Sequence, residues 1–353
     1  MERRVELIKK LITWILVVSC LLATAGCSHL PFSRNTKGTG EKGNSVKGQG
    51  AKTSPMPIDP YEQAKEVKIT LYFKHEVADF LVPEERTVLQ DKQSPEQLVV
   101  EELLKGPKKF ERLLVMPPET KIIDVTRKAD TVFVNLTDDF QKPIDLSTVP
   151  GREDTSGADI PKVQARLKRL AIYSIVNSLT YLSGVNHVQL MVNNRQLTYH
   201  EMGAELLIED GSELSPDSPM VAIERDKRWN LTPARTAGLV LNALTAEPDW
   251  DIIYMFLSDK TMDGDNLPPL DEFKKEIPSI SGGIIAFEDD PVLDQEYLGE
   301  KALVNVKYTD KTVDTLKEVN EVLTADDVEG IWKIRLPAFI SRLRQSGTNK
   351  AKD

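Results

Sequence analysis

Between Ser94 and Leu136 the sequence spells out a helix, a strand, a tight turn and a second strand, and that order restricts what the flanking residues can build. Ser94 offers an N-cap oxygen to an amide of the first turn, Pro95 suits the first helical position, and Gln97 completes an S-x-x-Q capping box. Val99, Val100, Leu103 and Leu104 follow at helical spacing. Gly106 and Pro107 end the helix, since glycine takes the left-handed conformation and proline cannot continue the turn. Lys121–Thr126 and Thr131–Leu136 read as strands on either side of Lys128-Ala129-Asp130, with Val132, Val134 and Leu136 on one face of the second. Upstream, Val67–Phe73 reads as a strand. Downstream, Lys162–Ser183 reads as a helix with Leu167, Ala171, Ile175, Leu179 and Leu182 on one stripe, and Gly184 ends it. Val188, Leu190 and Val192 then alternate as a last strand. The unit is expected to be β-α-β-β-α-β, α+β in class, with both helices on one face of a small sheet.

Six separated pieces of this unit, in order, resemble the GerM domain found in envelope proteins of endospore-forming and some other bacteria. They are Leu71–Phe73 (LYF), Leu81–Val88 (LVPEERTV), Glu101–Pro107 (EELLKGP), the P-x-x-T of Pro117–Thr120, Thr131–Phe140 (TVFVNLTDDF) and the helix-to-strand run Asn177–Asn194. The resemblance spans roughly residues 66–205. It implies a ring-building-like fold, a role in sporulation or germination, and assembly of membrane-spanning complexes. One departure is the insert Gln141–Pro161, which replaces a short connection with a polar loop expected to be mobile.

The chain starts with a basic segment (Arg3, Arg4, Lys9, Lys10) and an apolar run, Leu11 to Leu22. That run is shorter than the about 20 residues of a membrane-crossing helix, and residues 1–26 read as a signal peptide. The following A-T-A-G-C resembles a bacterial lipobox, which implies that Cys27 carries diacylglycerol and palmitate and holds the exported chain on the outer face of the cytoplasmic membrane. Lipoboxes usually have Leu three residues before the cysteine; Thr24 stands there. The alternatives are an uncleaved anchor or cleavage by ordinary signal peptidase. Cys20 is the other cysteine, so the exported chain has no disulfide framework and no C-x-x-C. Residues 27–60 are rich in Gly, Ser, Lys and Pro and read as a disordered linker. Its span is roughly 30 Å.

Residues 61–214 are assigned to the GerM-like domain, 215–230 to a turn-rich linker, 231–345 to a second domain expected to fold by itself, and 346–353 to a polar tail. In the second domain, Thr232-Pro233 opens a helix to about Ala246, Asp249 caps another over Asp249–Asp259, and Leu270–Glu276 is a third. Strands are expected at Gly283–Phe287, Leu303–Tyr308, Leu316–Leu323 and Gly330–Leu336, with an acidic turn at Asp326–Glu329. Helices followed by an antiparallel sheet, ending in the GIWKIRL strand, resemble the nuclear-transport-factor-2-like, cystatin-like cone. Trp250, Tyr254, Phe256, Phe273, Phe287 and Trp332 either fill its core or line a pocket; aromatic residues at element spacing favour packing.

The net charge is −10, and the four basic and two acidic residues of 1–26 leave −12 on the rest. Nucleic acid is thereby disfavoured as a partner, because it demands a basic surface. His187 and His200 read as surface residues, and no catalytic or nucleotide-binding motif is present. The pairs Glu101-Glu102, Asp138-Asp139 and Asp289-Asp290 are adjacent in sequence, so they cannot face each other as the acid and base of a glycosidase, and they read as solvated. No catalytic residue, metal or cofactor is expected. The reading is a non-enzymatic binding or assembly lipoprotein. Its partners would be the membrane, through Cys27, and envelope proteins, peptidoglycan or a second copy, through the GerM-like domain. The alternatives are an enzyme or modulator acting on peptidoglycan, or a small-molecule carrier using the second domain. Phe133 lies opposite Val132 and Val134 on its strand and is expected to point outward as a partner contact, or else to pack under the 141–161 insert.

Overall fold

A long antiparallel hairpin opens the folded region: β1 (Lys65–His75) pairs with β2 (Leu81–Gln90) from Lys65↔Gln90 to Lys74↔Leu81. The computed structural model describes residues 64–350 except 210, 278–281 and 313–315, so Cys27 lies outside it. Strand β2 has no hydrophobic alternation to read in the sequence, because two of its inward positions hold Glu84 and Arg86. The short β3 (Arg112–Leu113) pairs with the other edge of β1, completing a three-stranded sheet. The expectation of one small sheet is corrected accordingly: β1 stands apart from the later strands.

Helix α1 (Pro95–Leu104) begins as expected, with Gln97 N donating to Ser94 Oγ at 3.1 Å. Only half of the capping box forms, since the Gln97 side chain turns to Glu101 at 2.7 Å. Strands β4 (Ile122–Lys128) and β5 (Thr131–Leu136) form a hairpin, turning at Ala129 with φ 55°. Helix α2 (Ile160–Leu179) crosses to β6 (His187–Val192), parallel to β5, and β7 (Ile223–Glu224) closes the second sheet in the order β4-β5-β6-β7. Two serines on the buried side of α2 serve the backbone of β1: Ser174 Oγ donates to Tyr72 O, and Tyr72 N donates to Ser178 Oγ at 2.9 Å. They satisfy backbone groups that β3 is too short to reach. The 141–161 insert is not a loose polar loop. Ile144 and Val149 enter the first core, and the Gln164 amide brackets Ile144 through its O (2.7 Å) and N (3.0 Å).

The second core is built by α3 (Pro233–Ala243), α4 (Trp250–Met255), β8 (Leu257–Thr261), α5 (Leu270–Glu276), β9 (Ile285–Ala286), β10 (Val292–Leu298), β11 (Lys301–Asp310), β12 (Lys317–Val328), β13 (Ile331–Leu336) and α6 (Ala338–Lys350). Its sheet runs β10-β11-β12-β13-β8, with β9 also on β11. The α+β class holds. Three details differ from expectation. Residues 257–259 start a strand parallel to β13 instead of extending α4. Strand β10 is an edge strand with most of its residues exposed, so it lacks a hydrophobic alternation to read. The turn before β13 is Glu329-Gly330, at φ 54° and 91°, while Asp326–Val328 still belong to β12.

The hairpin also joins the two cores. Ala78 and Val82 belong to the second core, while Leu71, Phe73 and Leu81 belong to the first. Leu231 N donates to Leu81 O at 2.8 Å. Gly330 packs so closely on Pro83 that a Cβ there would sit 2.7 Å from the Pro83 carbonyl oxygen. Gly330→Val therefore combines a left-handed backbone with a clash at the joint and should lower stability by about 3 kcal/mol. Gly299→Val is the control: φ is 73° and nothing lies within 4 Å of its Cβ position. Chemical denaturation should show a clearly larger loss for Gly330→Val, and equal losses would remove Gly330 from the joint.

Candidate functional site: the joint between the two cores

Strand β2 carries buried charge into the joint. Arg86 Nε donates to Glu84 Oε1 at 2.6 Å, Nη1 reaches Glu102 through O (2.9 Å) and Oε2 (3.2 Å), and Nη2 donates to Gly106 O at 2.5 Å. One guanidinium thus ties β2 to the last turn of α1 and to the loop that follows it. Glu84 also accepts the backbone amides of Lys108 and Lys109, each at 3.1 Å. Arg112 lies 3.8 Å from Glu84, donates to Pro83 O and Phe110 O at 2.9 Å, and crosses to Glu329 O in the second domain. Lys333 joins Glu111 at 2.8 Å across the same joint. Glu102, expected to be solvated, is instead buried in this network. Burial opposes its charge, yet Lys105 and Arg86 outweigh that effect and hold its carboxyl below the usual range.

These contacts fix the loop from Gly106 to Arg112. Its tip is Phe110, 93% exposed, followed by Glu111 at φ 60°. A phenylalanine between lysines and a glutamate gives no sign in the sequence of which way it faces.

At the end of β1, His75 Nδ1 accepts the amides of Val77 (3.2 Å) and Ala78 (3.1 Å), which places the proton on Nε2. The ring stacks on Phe256 of the second domain at 4.9 Å. Adding a proton at Nδ1 would set N–H against two N–H groups in a buried place. Burial, reinforced by Lys74, Lys333 and Arg112, pushes this imidazole down to about 3. Beside it, buried Lys74 donates to His75 O (2.9 Å) and Glu76 O (3.2 Å), and burial brings its pKa to about 8 against the pull of Asp79.

The other sequence candidates fall elsewhere. Phe133 is half-buried on the outer face of the second sheet, opposite Thr126 and Gln189, and is in neither core. His187 bridges Asp130 (3.3 Å) and Glu224 (3.0 Å), and His200 pairs with Glu205 (2.7 Å), so the two do not meet. Asp139 pairs with Lys142 at 2.6 Å, and Asp290 caps Val292 N at 2.9 Å. Phe273 packs edge-on against Trp250 and Tyr254, so these aromatic residues fill core space. Among the described residues, no group of three potential metal ligands converges and no helix is long and apolar enough to cross a membrane.

Residues 70–198 match a family model described as Germane, sporulation and spore germination. The match lies within the first domain, which is similar to that family over these residues. The tandem GerMN domains of the sporulation protein GerM from Bacillus subtilis are similar over 47% of this chain and 48% of theirs, at 19% identity and a TM-score of 0.30. The chain thus spans about half of that tandem structure. The first GerMN domain of the same protein is similar over 37% of this chain and 86% of its own, at 19% identity and TM-score 0.25. A candidate lipoprotein from Clostridium perfringens is similar over 38% and 78%, at 18% identity and TM-score 0.23. No curated protein matches. The structural likenesses are too slight to add to the family match.

The joint has a pH signature. The unfolded His75 takes up a proton below its ordinary value of 6.5, while the folded one does so only near 3. Its neutral form is the one the fold accepts, so stability falls as pH drops from about 6.5 toward 3 and is unaffected by this group above that window. His75→Asn keeps an acceptor for Val77 and Ala78 without titrating. From pH 7 to pH 5 the unaltered protein should lose about 2 kcal/mol more than the variant in urea unfolding. Parallel losses would show that His75 is not held neutral.

Proposed function

We propose that this chain is an exported lipoprotein of a spore-forming bacterium, held on the outer face of the cytoplasmic membrane by acylated Cys27. It acts without catalysis, as a binding and assembly factor in sporulation or spore germination. The Germane match over residues 70–198 supports the cellular setting. The observation that carries assembly is Phe110, an exposed aromatic on a loop whose backbone is pinned by Glu84, Arg86 and Arg112. An anchor held in place before binding loses little entropy on docking, and large aromatic side chains dominate contact energies. Phe133 on the outer face of the second sheet is the second contact in this reading. The occupant is another envelope protein or a second copy of the chain. The non-enzymatic reading is supported by the use of the joint's titratable groups, which are engaged in pairs that hold structure. The second domain is read as cone-like, supported by two helices ahead of a mainly antiparallel sheet, with a third inserted after its first strand.

Cross-linking in native membranes tests the assembly role. Phe110→Ser should remove the cross-linked species while leaving the melting temperature within a few degrees, as exposed substitutions do, and Phe133→Ser, at a half-buried position, should weaken it. Unchanged complexes in both variants would contradict assembly through this domain. Mass spectrometry of the mature N-terminus tests the anchor: an acylated Cys27 is expected, and a free thiol would contradict it.

A further inference from the structure

At the β1–β2 turn lies a cleft of about 500 Å³, lined by that turn, α2, α3 and α4. One wall is cationic. Asp79 sits in it and is shared by Lys74 (3.7 Å), Arg152 Nη2 (2.8 Å) and Arg166 Nη1 (3.2 Å). A single carboxylate among three cations leaves the wall positive, in a protein whose net charge is −10. Arg169 adds a further charge one helical turn from Arg166. Its guanidinium lies over the Trp229 ring at 3.7 Å, and its Nε is buried without a hydrogen-bond partner. The Arg169 guanidinium lines the cleft and has no carboxylate of the described residues within ion-pair distance, so it is available to an anionic acceptor from outside. The facing wall is apolar, made by Leu239, Val240 and Ala243 of α3 and by Ile252, Ile253 and Phe256 at α4. Ile252 stands at the surface, 38% exposed.

We propose that this cleft binds a single-chain amphipathic anion, with its carboxylate or phosphate head on Arg152, Arg166 and Arg169 and its alkyl chain along Leu239, Ala243 and Ile252. Concave apolar walls with a few convergent charges are the usual form of a small-molecule site, and the volume falls in the usual range of about 300–1,000 Å³. The head would share Arg152 and Arg166 with Asp79 and meet the Arg169 guanidinium where it lines the cleft. The chain would cover apolar surface that the two domains leave between them. A fatty acid and a phosphate-headed single-chain lipid present the same chemistry to this cleft.

Titration calorimetry on the full chain downstream of Cys27, below the micellar concentration of each probe, tests the proposal. Decanoate and decyl phosphate are the anionic probes; decanol, acetate and inorganic phosphate are the controls. At least one anionic probe should bind one per molecule, at least tenfold more tightly than any control, as expected for a charge-assisted bond combined with apolar burial. The preferred head distinguishes the two sources. Arg169→Gln should weaken binding at least tenfold. Ile252→Glu, at an exposed position that leaves the folded core alone, should do the same by placing a carboxylate in the path of the chain. Absence of saturable binding, equal binding of decanol, or binding indifferent to Ile252→Glu would overturn the proposal.

Discussion

Glu84 is a carboxylate buried on a strand, and it is tolerated because four groups answer it: the Arg86 guanidinium, the amides of Lys108 and Lys109, and Arg112. Much of the molecule hangs on that arrangement. Arg86 holds the last turn of α1, the two amides shape the loop to Phe110, and Arg112 reaches the turn before β13. Such a network is weak ground for stability in itself, since an apolar replacement of the whole set often does as well. Removing one member is different, because it strands the others without water, at about 3–5 kcal/mol. What the network adds is position: three elements and two domains are set at fixed distances by directional bonds.

The hairpin that carries Glu84 serves both cores at once. Phe73 and Leu81 face one, Ala78 and Val82 the other, and His75 stacks across the boundary on Phe256. An aromatic neutral imidazole fits there where a charged one would not. The same hairpin holds the Phe110 loop through Glu84 and, at its turn, contributes Val77 to Phe80 to the arginine-lined cleft.

Much of the fold was legible where local chemistry and hydrophobic period agree. Ser94 and Pro95 start α1, Thr232 and Asp249 cap α3 and α4, and the valines of β5 face inward at their period of two. The rest was hidden for physical reasons. Strand β2 faces charge inward, β10 faces water on most sides, and residues 257–259 form an apolar-led run that neighbours decide. Glu102 looked like any helix-surface acid until Arg86, sixteen residues earlier, came beneath it. Alternation alone puts Phe133 on the face opposite Val132 and Val134 without saying what covers it, and it gives no sign of the exposure of Phe110. The cleft was out of reach of sequence reading, because Asp79, Arg152 and Arg166 meet only through the tertiary fold.

The central claim is that both domains form one body through the shared hairpin and its buried charges. Scanning calorimetry of the chain downstream of Cys27 tests it most directly. The account predicts a single unfolding transition whose calorimetric and van't Hoff enthalpies agree. Two resolved transitions, each with the enthalpy of one domain, would contradict it.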